Sequence, residues 1–377
     1  MEKGREKMKK HLTIALILLL AMSMILVSSG CSKSEPQTEP TQAPTMEPAD
    51  NATPEPTEVS GLPVPEKKDK YSFYFSQRAM DHPWMVAMTK SFDMAVEKYA
   101  DRVASYQWTD GSNSDAKQLA DIEDMLKTKP DCMFLSAQSF EPLAAVADMC
   151  KEAGVVLFCV DRRINAVPGE DYACWIGGDY RDQGKKAAEE LVEALKEKNG
   201  DAVGKIVEIA GIAGASAAID RHDGFQEVID QYPGIEIIAS QDGGFARDTA
   251  LTVMENYLQK YAAGEIDAVY THNDEMAIGA VEAIEKAGRD ELLGWIVSVD
   301  GQKEALELVL DGKMLATAQC PAGYGDLCIQ TALEYLDGGT IPAEIYIPFE
   351  VFSNRTEAQV EATQAQLDFL NENDLQY

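Results

Sequence analysis

From Lys70 onward, apolar runs of strand length alternate with stretches of helical period, and nothing else in the 377-residue chain limits its folding so sharply. The runs are "YSFYF", "ASYQW", "CMFLSA", "VVLFCVD" and "ACWIGGD", then "KIVEIAGI", "IEIIASQ", "AVYTHN", "WIVSVD" and "MLATAQ". Helical patterns begin at Pro83, at Ser114, near Phe140 and at Gln183. The tail "SNRTEAQVEATQAQLDFLNEN" reads as a closing helix capped by Ser353 or Asn354. Runs that are continuously apolar, not alternating, mark strands covered by helices on both faces. The expected fold class is α/β with parallel sheets. Two series of comparable length predict two similar lobes.

Ahead of this region the composition is different in kind. "MEKGREKMKKH" supplies a basic stretch, "LTIALILLLAMSMILV" an apolar run from Leu12 to Val27, and "SSGC" ends at Cys31. That order describes an export signal over residues 1–30. A single transmembrane anchor is the competing reading. The cysteine after Ser-Ser-Gly resembles the lipobox of bacterial lipoproteins, which implies lipidation of Cys31 and a membrane attachment through it. The resemblance departs at Ser28, where an aliphatic residue is usual. Residues 31–69 are rich in Pro, Thr and Glu and lack any hydrophobic period, so they predict a disordered, extended tether.

Charge and cysteine usage exclude several functions. A net charge of −31 opposes nucleic-acid binding, which needs clustered Lys and Arg. Cys132, Cys150, Cys159, Cys174, Cys320 and Cys328 form no C-x-x-C pair, and several sit inside apolar runs, so buried thiols are expected. His11, His82, His222 and His272 show no metal-ligand spacing, and no metal or other cofactor is expected.

In open parallel sheets, ligands sit beyond the carboxyl ends of the strands. The polar residues that follow each apolar run are therefore the candidates. They come in "FSQRAMDHPWM", at Ser136 to Gln138, in "DRR" (Asp161 to Arg163), at Asp179, in "AGASAAIDRHDGF" and "DGGFARD", and at Asn273, Asp274, Asp300 and Gln319. Helix capping accounts for Asp274, Ser216 and Asp248 taken singly. It leaves the others unexplained. Asp161 and Arg162 would point oppositely on a continuing strand, so both serve one site only if the chain turns there. Aromatic Trp84 and Phe245 accompany the polar set. Carboxylate, amide and guanidinium groups beside aromatic rings suit a carbohydrate, whose hydroxyls donate and accept while its C–H faces pack on rings.

These stretches, above all "GIAGASAAIDRHDGF", "HNDEMAIGAVEAIEKAG", "VSVDG" and "VDRR", resemble the ribose- and galactose-type sugar-binding proteins of ABC importers, from about Lys70 to Phe352. The resemblance implies the type I periplasmic-binding-protein fold: two doubly wound α/β lobes joined by a three-segment hinge and closing on a ligand. It implies crossings near Asp179, Gln319 and Pro348, with lobes of 70–178 plus 320–347 and of 179–319 plus 348–377. The implied ligand contacts are His82, Trp84, Met85, Ser136, Gln138, Asp161, Arg162, Arg221, Phe245, Asn273, Asp300 and Gln319, with Asn273 facing the ligand and Asp274 capping its helix. The amino-terminal wall departs from the ribose-type pattern: His82, Trp84 and Met85 stand where Asn, Phe and Phe are usual, and Ser136 where Asn is usual; in the other lobe Ile219 stands where a further Arg is frequent. The resemblance also implies a monosaccharide, pentose or hexose, an ABC permease with its ATPase as partners, a monomer, and no catalytic residues. A sugar sensor reporting to a membrane receptor or histidine kinase would use the same binding chemistry. An enzyme is the remaining alternative.

Overall fold

The computed structural model describes residue 62, residues 66–373 and residues 375–377. The export signal, Cys31 and all but the end of the tether lie outside the described residues.

The first half of the described chain runs β1 (Tyr71–Gln77), α1 (Pro83–Lys98), β2 (Val103–Asp110), α2 (Asp115–Leu126), β3 (Cys132–Leu135), α3 (Ala145–Ala153), β4 (Val156–Val160) and β5 (Cys174–Gly178). The second continues α4 (Tyr180–Asn199), β6 (Val203–Ala210), α5 (Ser216–Ile229), β7 (Gly234–Asp242), α6 (Arg247–Lys260), β8 (Ala268–Thr271), α7 (Asp274–Ala287), β9 (Ile296–Asp300), α8 (Lys303–Leu310) and β10 (Ala316–Gln319). The end of the chain adds α9 (Gly325–Leu336), β11 (Glu344–Ile347), β12 (Val351–Ser353) and α10 (Glu357–Glu372).

The strands form two six-stranded sheets, ordered β11-β5-β4-β3-β1-β2 and β12-β10-β9-β8-β6-β7. Every pairing is parallel except β10 with β12. The chain therefore passes between sheets three times: after β5, after β10 and between β11 and β12. This is the two-lobed α/β architecture that the alternation of runs predicts. Central strands such as "CMFL" and "VLFCV" are buried at every position, as continuous apolar runs require. The outer strands β2 and β7 are half exposed, because a helix layer covers an edge strand less completely.

The lobe of the first sheet packs an aromatic core, with Phe75 on Phe92 at 4.4 Å between ring centroids and Phe134 on Phe158 at 5.7 Å. Each such ring contributes roughly 1.5–3 kcal/mol on burial. In the other lobe α4 and α5 approach so closely that a Cβ at Gly184 would collide with the Arg221 carbonyl, and one at Gly224 with that of Arg181. Glycine at both positions sets the depth at which Arg221 sits.

Several local expectations change. The fourth helix begins at Tyr180, not Gln183, because Asp179 accepts a capping bond from the Asp182 amide at 2.9 Å. The closing helix begins at Glu357 and is capped by Thr356, not by Ser353 or Asn354. Neither Ser216 nor Asp248 caps a helix; the capping positions are Ala215 and Ala246. The six cysteines of the described region are buried and unpaired. Among the described residues no helix is long and apolar enough to cross a membrane.

Candidate functional site

The carboxyl ends of strands from both sheets point at one small hollow of about 30 Å³. From the first sheet come Arg78 just past β1, His82, Trp84 and Met85 around the start of α1, and Asp161 and Arg162 past β4. The second supplies Ala217 and Arg221 on α5, Phe245 past β7, Asn273 past β8 and Asp300 at the end of β9. Tyr180 and Cys320 line it from two of the crossings. So small a space, with room for about two waters, corresponds to lobes drawn together.

Backbone conformation explains how sequence neighbours converge here. Asp161 has φ of 64°, so the chain reverses at the end of β4 and Arg162 returns toward the same hollow. Phe245 at 57° and Asp300 at 139° share this left-handed half of φ space. Non-glycine residues held there cost of order 1–3 kcal/mol each, and such strain gathers at binding sites.

Each carboxylate and guanidinium is held by named partners. Tyr180 donates to Asp161 Oδ1 at 2.6 Å, and the Trp175 indole N–H donates to the Asp161 carbonyl at 3.0 Å. Arg162 donates from Nη1 to the Gln138 carbonyl at 2.9 Å and lies over the Phe245 ring, 5.5 Å from its centroid. Arg221 donates from Nη1 to the His272 carbonyl at 2.6 Å and from Nε and Nη2 to Gln183 Oε1 at 3.2 and 3.0 Å. Its Nη2 stands 3.5 Å from Asp300 Oδ1, both side chains being at most 5% exposed. Trp84 donates its indole N–H to the Cys320 carbonyl at 2.8 Å and packs edge-on against Tyr324. Lobe therefore meets lobe through Arg162 on Phe245, and the hinge through Trp84 on Cys320.

Burial sets the electrostatics. It pushes the Asp300 carboxyl well above the usual range, against the pull of Arg221. It also pulls His82 down to about 4, with Arg78 adding to the effect, so that imidazole is neutral near pH 7. Burial and then Arg78 bring Arg162 down to about 9.

Of the residues that the resemblance implies as ligand contacts, His82, Trp84, Met85, Asp161, Arg162, Arg221, Phe245, Asn273 and Asp300 line the hollow. Ser136, Gln138 and Gln319 do not. Ser136 stands behind Asp161, its Oγ 3.4 Å from Oδ2. Gln138 meets the site through its backbone, under Arg162. Gln319 offers its carbonyl to Gln183 Nε2 at 3.2 Å. The capping role expected of Asp274 also needs correcting. Asn273 caps α7, accepting from the Met276 amide at 3.1 Å, and lines the hollow as well. Asp274 does no capping: it accepts from Thr317 Oγ1 and the Gln302 amide, both at 2.8 Å, and from Ser298, tying α7 to β9 and β10.

Arg78, Tyr180, Ala217 and Cys320 line the hollow without having been singled out. The only signal for Arg78 is that it is the first charged residue past β1.

Two other features lack this chemistry. A wider groove of about 940 Å³ runs along the outside of α1, lined by Met80, Val86, Met94, Leu375 and Tyr377 among others. Its character is apolar, with no convergent set of buried polar groups. Glu208, His222 and His272 cluster at metal-ligand spacing, yet His272 Nδ1 accepts from the Gly211 amide at 3.1 Å. Its proton is then on Nε2, donated to Glu208 Oε1 at 2.9 Å, which leaves that imidazole no lone pair for a metal.

Comparison with known proteins agrees with this architecture. Residues 73–340 match the model of a periplasmic binding protein domain. The ribose import binding protein of Bacillus subtilis (strain 168) is 30% identical over 285 residues, 75% of this chain and 88% of that protein. A galactofuranose-binding protein of known structure superposes with a TM-score of 0.72 at 26% identity, over 80% of this chain and 99% of its own. The fructose-binding periplasmic domain of a hybrid two-component system superposes at 0.71 with 27% identity, over 81% and 96%. With the matched region holding every strand-end group described above, from Arg78 to Cys320, the chain belongs to the periplasmic binding protein family.

Proposed function

We propose that the protein captures a monosaccharide between its lobes, outside the cytoplasm, and delivers it to the permease and ATPase of an ABC importer. One observation carries this reading. Hydrogen-bonding groups from both lobes, Asp161 and Arg162 on one side and Arg221, Asn273 and Asp300 on the other, meet at a single hollow with Trp84 and Phe245. Charge-assisted hydrogen bonds of about 1.5–3 kcal/mol each suffice, in a handful, for micromolar affinity after ordering costs. Contacts from both lobes favour the closed form, so binding and closure are one equilibrium.

The lobes in this reading are 70–178 plus 320–347 and 179–319 plus 348–377, with Ser136, Gln138 and Gln319 supporting the contact residues from behind. Cys31 is lipidated after removal of residues 1–30, residues 31–69 hold a monomeric receptor off the membrane, and no residue is catalytic. The relatives that import ribose and bind galactofuranose support the transport role.

A thermal-shift screen against pentoses, hexoses and inositols tests the proposal. A ligand at a hundred times its dissociation constant adds about 2.7 kcal/mol of stability. A screen without any shift, repeated by calorimetry with the same result, defeats it. The likeness to a two-component sensor domain favours one second reading, a receptor that reports its closed form to a kinase. Stimulation of the ATPase of a reconstituted permease by the liganded protein distinguishes import from sensing.

A further inference from the structure

Among the guanidiniums around the hollow, Arg78 is the one that keeps a buried N–H without a partner among the described residues. Its side chain is 1% exposed. Nη1 donates to Asn113 Oδ1 at 3.0 Å and Nη2 to His82 Nε2 at 3.2 Å, both neutral acceptors. Nε is buried with no partner among the described residues, and the neighbouring His82 Nδ1 is likewise buried and unpartnered. Among the described residues no carboxylate stands within ion-pair distance of Arg78. Asp161 and Asp81 act on it at longer range, and each is engaged elsewhere, Asp161 with Tyr180 and Asp81 with Asn113 Nδ2 at 2.6 Å.

Around the hollow as a whole, the guanidiniums of Arg78, Arg162 and Arg221 face only the carboxylates of Asp161 and Asp300. A buried cation without a counter-charge is costly, and a site that keeps one is completed by an anion. The downward pull that Arg78 exerts on Arg162 is the same surplus positive potential felt by a neighbour. A neutral sugar's hydroxyls would satisfy the free N–H but not the charge. Arg78 itself carries a single positive charge, which a carboxylate matches and a phosphate, at about −1.5 to −2, exceeds. A planar guanidinium also pairs with a carboxylate edge to edge.

We infer that the ligand is a sugar acid, a monosaccharide carrying one carboxylate, and that Arg78 receives that carboxylate. The inference rests on the monosaccharide reading and narrows it to a class. Arg78 then determines specificity, while the opposite wall reads hydroxyls common to acidic and neutral sugars.

Calorimetric titration of the full chain with matched pairs tests it: D-galacturonate against D-galactose, D-glucuronate against D-glucose, D-ribonate against D-ribose, with D-ribose 5-phosphate alongside. At least one acid is expected to bind about tenfold or more tighter than its neutral parent, with an advantage that shrinks as salt is raised. Arg78→Gln should bring that ratio near one, and Arg78→Lys should keep part of it. If Arg78→Gln fails to fold, the wild-type ratio and its salt dependence decide alone. Neutral parents that bind as well as or better than every acid, a phosphate preferred to every carboxylate, or an Arg78→Gln variant that weakens both members of a pair equally would each overturn the assignment while leaving the sugar receptor intact. If no saccharide binds, acidic or neutral, the sugar reading falls as well.

Discussion

The two walls of the hollow are built differently. On the side of the second sheet, protein partners hold the polar groups before any ligand arrives: Arg221 is engaged by Gln183, the His272 carbonyl and Asp300, and Asn273 by the Met276 amide and the Phe245 carbonyl. On the side of the first sheet, Arg78 and His82 bond to each other and still leave a buried nitrogen each. A wall already satisfied by the protein is rigid and general; one with unspent donors awaits a particular partner. This division partly follows the sequence: the first wall departs from the ribose-type pattern at His82, Trp84 and Met85 but keeps Asp161 and Arg162, while the second keeps Asn273 and Asp300 but departs at Ile219. Selectivity should therefore be altered on the first wall, and competence to bind at all on the second.

The strongest way to break that contrast is Arg221→Met. Removing one member of a buried pair strands the other, a loss of about 3–5 kcal/mol. Asp300, Gln183 and the His272 carbonyl all lose a partner at once. Urea denaturation without ligand should register the loss. A cost below about 1 kcal/mol would mean that the second wall is not a preassembled framework.

Arg162→Ala comes next and acts on binding more than on folding. The guanidinium makes one bond to the Gln138 carbonyl and covers Phe245 across the lobes, so the free protein gives up little. In the complex the loss should exceed about 1.5 kcal/mol, more than tenfold in Kd. An unchanged Kd by calorimetry would remove Arg162 from the ligand's contacts and shift the first wall's role wholly to Arg78 and His82.

How much of this was legible beforehand follows physical lines. Strand ends are visible in the apolar runs, so Asp161, Arg162, Asn273 and Asp300 could be gathered without coordinates. Depth behind a strand end is not visible. Ser136 lies one layer back because Asp161 turns at positive φ in front of it, and nothing local in "CMFLSAQ" announces that turn. Arg78 escaped because an arginine at a strand end is ordinarily solvated, and its burial depends on His82 and Asn113, which are 4 and 35 residues away. The cap falls on Asn273 and not on Asp274 because adjacent capping residues have equal propensity and partners decide between them. Asp274 is taken by Thr317 and Ser298 from other strands. The Glu208 cluster unites histidines 14 and 64 residues along the chain, a separation that carries no motif.

That cluster offers the finest test of the preassembled wall, since it continues it outward: Arg221 bonds the His272 carbonyl, His272 donates to Glu208, and His222 meets Glu208 Oε1 at 2.8 Å near the surface. The bond to Glu208 raises the His222 imidazole above its ordinary value, and burial opposes it. A raised folded value means that the stabilisation from this charge is full below the unfolded value, near 6.5, and fades as pH climbs through the folded one. His272 shifts the other way because burial dominates, so its neutral form disfavours acid conditions independently of His222. Replacing His222 by Gln isolates the first effect. The side chain is 42% exposed, so solvent screening holds the difference to about 1 kcal/mol or less. Wild type should exceed His222→Gln most at pH 6, with the gap narrowing toward pH 9 in denaturation curves. A gap that stays constant or widens with pH would mean that the ion pair contributes nothing and that the ordered wall ends at His272.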